Sequence, residues 1–349
     1  MIVSSIASSI TRAAPHADGA DLPLPRELYL ESTNRCNERC DQCPRTHLGR
    51  EPEKDLMLAE MRSITDQFTT LDRVVLHGLG EPLMNPELPA MVAHLRGRGA
   101  HVLFNSNALL LNERRARALI MADLSELRVS LDGATPATYA RVRGVNEKAL
   151  PLIVANVRHF CALRRELGAT RPAISLWFTA MRENIEELPR VVELAAEMAV
   201  PEVYVQRFIY FGKGLAQAEQ ALFARVRERE LALIHQADAR CRELGIQFRA
   251  TGAATPIEYL ARGERPAERL WSGCQRPYAL AYITAHGTVF SCCFAPFHPG
   301  RASERQLGNA LERPFAEIWN GERYRAFRRA FESATPWDQC AGCGSKWSL

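Results

Sequence analysis

Lysine is nearly absent from this chain: Lys54, Lys148, Lys213 and Lys346 are the only four among 44 basic residues. With 40 acidic residues the net charge is +4, too small a surplus for the basic footprint of a nucleic-acid-binding protein. The arginine bias is that of a GC-rich coding sequence. Apolar residues make up 47% of the chain, yet no run approaches the roughly 20 residues that a membrane span needs. The opening stretch, Met1–Ala20, has no basic segment followed by an apolar core, so a secretory signal is not expected and residues 1–24 read as a flexible tail. Internal repeats and low-complexity tracts are missing as well.

Cysteine, by contrast, is present ten times. Without a secretion signal, that number points to thiols in a reducing cytoplasm, where clustered cysteines bind metal more often than they form disulfides.

Short β-branched or aromatic runs alternate with helical stretches through the first two thirds. Strands are expected at Leu28–Thr33, Arg73–His77, His101–Asn105, Leu127–Leu131, Ile174–Thr179 and Glu202–Arg207. Helices are expected between them, at Leu58–Phe68, Pro86–Arg98, Glu113–Met121, Pro136–Arg141, Glu147–Leu167 and Ile185–Met198. Such alternation implies βαβ units and a parallel sheet, an α/β fold whose right-handed crossovers curl it into a partial (β/α)6 barrel. Ligands then sit beyond the carboxyl ends of the strands. From about Gly212 the pattern changes to one long amphipathic helix, Leu215–Leu244, followed by a hairpin turning at His286–Gly287. These signals divide the chain into a tail (1–24), a barrel core (25–250) and a small α+β unit (251–349).

Cys36, Cys40 and Cys43 form C-x3-C-x2-C directly after the first strand. Three thiolates converging from one short loop leave an open coordination position, the arrangement of a catalytic metal. Spacing alone also admits a zinc loop or a redox dithiol, although His47 is poorly spaced as a fourth ligand. A second set, Cys274, Cys292, Cys340 and Cys343, reads C-x12-G-x4-C followed by C-x2-C, with Gly287 at the hairpin turn. Four thiolates suit a fully ligated 4Fe–4S cluster and a four-cysteine zinc site equally.

The stretch Glu31–Arg45, ESTNRCNERCDQCPR, is similar to the signature of the radical S-adenosylmethionine (SAM) superfamily. That resemblance implies a 4Fe–4S cluster on Cys36, Cys40 and Cys43 whose free iron chelates SAM, and reductive cleavage of SAM to a 5′-deoxyadenosyl radical. Gln42 departs from the family, which usually has an aromatic or bulky apolar residue there. Gly78-Leu79-Gly80-Glu81-Pro82 looks like the family's GGEP motif, whose backbone edge and carboxylate meet the SAM amino group. Ser106, Asn107 and Ser130 resemble positions that hold the SAM ribose and carboxylate, and Arg143 fits a basic residue that pairs with that carboxylate. Gln206, with Asn184, is a candidate for the late-strand contacts. Asp132-Gly133 reads equally as a turn and helix cap. The pattern around Cys274 and Cys292 resembles the opening of a SPASM domain, and the single terminal C-x2-C resembles its shorter "twitch" form with one auxiliary cluster. The two resemblances span roughly residues 26 to 346.

Three outcomes fit these motifs. The first is a dehydrogenase or epimerase of a small sugar, aminocyclitol or nucleoside in natural-product biosynthesis, similar to aminoglycoside-type twitch enzymes. The second is a maturase of a ribosomal peptide. The third is carbon–carbon coupling or decarboxylation of a nucleoside or sugar. A first strand near Leu28 leaves no room for an N-terminal peptide-recognition domain of roughly 80 residues, which favours the small molecule. Cys293, next to a cluster ligand on a strand, points to the other face and is the candidate hydrogen-atom donor. The resemblance also implies a flavodoxin- or ferredoxin-type electron donor.

Overall fold

The structure, a computed structural model, describes residues 21–48, 51–222, 225–250, 255–261, 271–298, 301–341 and 343. Ten strands form one sheet: β1 (Glu27–Leu30), β2 (Arg73–Val75), β3 (His101–Ser106), β4 (Glu126–Ser130), β5 (Ala173–Ala180), β6 (Glu202–Arg207), β7 (Gln247–Ala250), β8 (Leu280–Ile283), β9 (Thr288–Phe290) and β10 (Gly308–Asn309). Their order is β10-β9-β8-β1-β2-β3-β4-β5-β6-β7. Strands β1 to β7 run parallel to their neighbours, so the barrel topology expected from the alternation is present.

The parallel strands have two different faces. On β5, Ile174, Leu176, Phe178 and Ala180 are buried, while Trp177 and Thr179 are half-buried on the opposite side. That period of two puts the apolar set against the helices and the polar set on the barrel lumen. The lumen is charged and aromatic. Trp177 stacks on Tyr204 at 4.0 Å, the Arg128 guanidinium lies 4.4 Å over Trp177, and Glu126 bridges Arg128 and His101.

The C-terminal unit is part of the same sheet. Strand β8 pairs in parallel with β1, from Glu27↔Leu280 to Leu30↔Ile283, and the β8–β9 hairpin extends the sheet outward. Gly287 makes that turn with φ +82°, and a Cβ there would lie 2.4 Å from Asn309 Oδ1.

Three expectations need correction. The helix expected over Leu215–Leu244 begins at Glu228, because the earlier backbone is held elsewhere: Leu215 N–H donates to Asp41, Arg182 N–H to the Gln220 carbonyl, and Met181 bridges Ala221. Strand β7 was not foreseen. Residues 21–24, expected within the tail, are tied down: Leu22 N–H donates to Asn320 Oδ1 at 2.8 Å, and Trp319 Nε1–H donates to the Pro23 carbonyl at 2.9 Å. The rest of the tail, residues 1–20, lies outside the described residues. Among the described residues no helix is long and apolar enough to cross a membrane.

Candidate iron–sulfur and SAM site

The loop after β1 is braced before any ligand is considered. Arg35 makes two hydrogen bonds to Asp55, at 2.9 and 2.5 Å, and a third to the Met84 carbonyl. Asn34 is tied to Pro52 and Lys54, and Arg45 Nε–H donates back to the Asn34 carbonyl at 3.0 Å. Cys43 N–H closes a turn onto the Cys40 carbonyl at 3.1 Å and precedes the short helix Pro44–His47. Cys40 is buried, Cys36 and Cys43 are half-buried, and the charges of Cys36 and Cys43 bear on Cys40. Burial and the nearby carboxylates of Glu81 and Glu38 push the Cys36 thiol up to about 12. Three thiols from one loop, none bonded in a disulfide, are the donor set that a cluster with an open iron requires.

The Gly78–Pro82 loop packs onto this cysteine loop. A Cβ on Gly80 would lie 2.1 Å from the Thr33 carbonyl oxygen, and one on Gly78 would lie 2.3 Å from Glu31 Oε1. Both glycines are therefore required by contact with protein as well as by any approach of a ligand. Glu81 is buried and accepts from the Ser106 hydroxyl at 2.7 Å, Asn107 N–H at 2.8 Å and Leu83 N–H at 3.1 Å. Burial pushes this carboxyl up to about 7. Asn107 Nδ2–H also reaches Asn37 Oδ1 at 2.9 Å. Pro82 starts the turn Pro82–Met84, so Gly78, Gly80, Glu81, Pro82, Ser106 and Asn107 all meet at one end of the barrel beside the cysteines.

Arg143 is placed differently from the expectation of a residue awaiting a ligand carboxylate. Its NH1 donates to Glu38 Oε2 at 3.3 Å and its NH2 lies 2.9 Å from Asp132 Oδ2. Its Nε–H is buried without a partner. Asp132 also accepts from Thr179 N–H and Gln42 Nε2–H, so it is a network hub and not a helix cap, a role that Thr135 fills. Gln42, the departure from the family pattern, joins this network through its amide. Asn184 is turned to the Asp132 and Thr179 carbonyls and is not available to a ligand there. Ser130 and Gln206 are half-exposed on the lumen side of β4 and β6. Among groups passed over at the sequence level, Glu38 accepts from Tyr139 at 2.9 Å, and His77 accepts from Asn105 N–H at 3.1 Å through Nδ1. Their partners lie too far along the chain for any local pattern to signal them.

At the other site, Cys274, Cys292, Cys340 and Cys343 line one cavity with Arg276, Phe294 and Phe331. Cys343 N–H closes a knuckle onto the Cys340 carbonyl at 3.1 Å, and burial with the neighbouring thiols pushes Cys343 up to about 12. Four convergent thiols match a fully ligated cluster. Among the described residues no three metal-binding side chains are packed tightly enough to share a single ion. Cys293 does not line that cavity. It packs against the cluster of Tyr282, Phe290 and Ala295 and accepts from Arg276 NH1 at 3.5 Å.

Two family models match these regions. The one described as Radical SAM superfamily covers residues 30–195, and the SPASM iron–sulfur cluster-binding domain covers residues 274–344. The chain carries a radical SAM domain and a SPASM domain. Its cofactors are accordingly a SAM-binding 4Fe–4S cluster, an auxiliary cluster and SAM. Among curated relatives, the PqqA peptide cyclase of Xanthomonas oryzae pv. oryzae (strain MAFF 311018) is 29% identical over 325 residues, 92% of this chain and 80% of that protein. The Fe-coproporphyrin III synthase of Methanosarcina barkeri is 25% identical, over 82% of this chain and 71% of that one. The fold is shared with Streptococcus suis SuiB bound to S-adenosylmethionine (TM-score 0.69, 17% identity, 94% of this chain and 72% of that one).

The likeness to the PqqA peptide cyclase overturns the expectation of a sugar, aminocyclitol or nucleoside dehydrogenase or epimerase, and of such a small molecule as partner. The error lay in reading the position of the first strand as evidence about substrate. That inference required a peptide-recognition unit to be on the same chain, which no physical rule demands.

Proposed function

We propose that this protein is a radical SAM maturase that modifies a peptide. The observation that carries the reading is the likeness to a PqqA peptide cyclase over 92% of the chain, with one thiol set after β1 and a second beside the β8–β9 hairpin of the same sheet. Cys36, Cys40 and Cys43 would hold the SAM-binding cluster, and Cys274, Cys292, Cys340 and Cys343 one auxiliary cluster. Bound together, the first cluster and SAM supply a 5′-deoxyadenosyl radical, for which a flavodoxin- or ferredoxin-type protein is the expected electron source.

The chain's own residues do the rest. Glu81, held by Ser106 and Asn107, presents a carboxyl beside the cysteine loop, suited to an ammonium group. Gly78 and Gly80 keep their backbone edge free of side chains, and Pro82 fixes the turn that follows. Arg143 sets the floor by clamping Glu38 and Asp132, which positions the cysteine loop. Ser130 and Gln206 line the lumen approach. Trp177, Tyr204 and Arg128 give that lumen flat apolar and cationic surface, suited to a side chain of a peptide. Cys293, packed under Arg276, is given no chemical step.

The test supplies cluster-loaded, reduced protein with SAM and the peptides encoded by short reading frames beside its gene. One of them should accelerate 5′-deoxyadenosine formation and change mass. Peptides that do neither, with an iron-porphyrin substrate that does both, would reverse the assignment.

A further inference from the structure

Glu31 is the last buried acid before the cysteine loop, just beyond the end of β1 and 2% exposed. Three donors reach its carboxylate from two directions. Leu79 N–H donates to Oε1 at 2.6 Å, from the middle of the Gly78–Pro82 loop. Tyr282 O–H donates to the same oxygen at 3.2 Å and Ala285 N–H donates to Oε2 at 3.2 Å, both from β8 and the turn after it. The main chain repeats the link, since Glu31 N–H donates to the Ile283 carbonyl at 2.9 Å. Gly78 lies so close that a Cβ would stand 2.3 Å from the carboxylate and 2.4 Å from the Tyr282 oxygen.

A carboxylate buried at this depth is costly unless donors satisfy it, and here the donors come from the Gly78–Pro82 loop on one side and from β8 and its turn on the other. An apolar residue would fill the volume but would leave Leu79 N–H, Ala285 N–H and the Tyr282 hydroxyl without acceptors. We propose that Glu31 is a positioning residue for SAM: it fixes the backbone edge at Gly78–Gly80 and makes the geometry of that edge depend on how the C-terminal iron–sulfur unit is seated. Tyr282 and Ala285 are the arms through which that unit acts. The inference rests on reading the Gly78–Pro82 loop as the SAM edge, and is independent of which peptide is modified.

The experiment uses the full, cluster-loaded chain and measures SAM affinity by equilibrium dialysis together with iron content. Glu31→Gln keeps the shape but turns an acceptor into a donor against Leu79 or Ala285, and is expected to weaken SAM binding about tenfold with iron unchanged. Tyr282→Phe removes one arm and leaves the Leu79 hydrogen bond to Glu31 in place. It is expected to raise the KM for SAM about two- to fivefold while kcat at saturating SAM is kept. Should Glu31→Gln lose iron, the Tyr282→Phe result alone decides. Wild-type SAM affinity and KM in fully loaded Tyr282→Phe would overturn the proposal. A wild-type chain that binds no SAM would instead overturn the reading of the loop, and one that binds SAM but modifies no peptide would overturn only the substrate.

Discussion

Arg143 donates to Asp132 at 2.9 Å in a buried floor beneath the first cysteine loop, with Glu38 3.3 Å away on its other side. A single cation so placed is shared by two carboxylates whose burial would otherwise be costly. Removing it strands both, and breaking a buried pair of this kind costs about 3–5 kcal/mol. Arg143→Met should therefore lower the thermal midpoint and reduce iron at the first site while the C-terminal site still loads. An unchanged midpoint would show that the network is slack.

Gly80 gives a second test of how the site is held. Its missing Cβ would meet backbone oxygen of Thr33 and Arg35, which has no rotamer to escape into. Gly80→Ala should abolish SAM binding and diminish iron at the first site. Gly97, at the end of the helix Leu88–Gly97 with nothing within 4 Å, serves as the control. Gly97→Ala should leave loading intact and be neutral or stabilising by up to about 1 kcal/mol.

The lumen pair Glu126–His101 gives a pH-dependent test. Despite partial burial, hydrogen bonds from His101 and Arg128 lower the Glu126 carboxyl from 4.5 to about 2. The charged groups facing it are His101, Arg128, Arg73 and Glu202. Because the unfolded chain binds this proton more tightly, the contribution is present above pH 4.5 and is lost as pH falls toward 2. Denaturant melts of wild type and Glu126→Gln should differ by about 3 kcal/mol near pH 6, with the gap closing as the pH drops. A gap independent of pH would contradict the charge assignment.

Much of this architecture was legible in the residues. The helix Glu113–Met121 and the strand Glu202–Arg207 have the bounds their patterns indicate, the first because Asn112 caps it through Arg115 N–H. The two thiol sets were legible because their ligands fall within short sequence intervals or on a hairpin. Strand β7 was not, since Gln247–Ala250 is four residues at a sheet edge with little apolar content. Nor was the shortened helix at Glu228, where hydrogen bonds from Leu215 to Asp41 override a helical pattern. Glu31 could be seen in the motif but not its role, because its partners Leu79 and Tyr282 are 48 and 251 residues away. Ser106 and Asn107 were read as ligand contacts, and the structure shows them first as the partners that hold Glu81.

The most direct test of two sites with separate duties compares 5′-deoxyadenosine formation and iron content in wild type, Cys40→Ser and Cys340→Ser. Wild type should hold about eight irons per chain and cleave SAM once reduced. Cys40→Ser should lose about half the iron and all SAM cleavage, whereas Cys340→Ser should lose a similar share of iron and still form 5′-deoxyadenosine. SAM cleavage that survives in Cys40→Ser, or a wild type that forms no 5′-deoxyadenosine, would contradict the account.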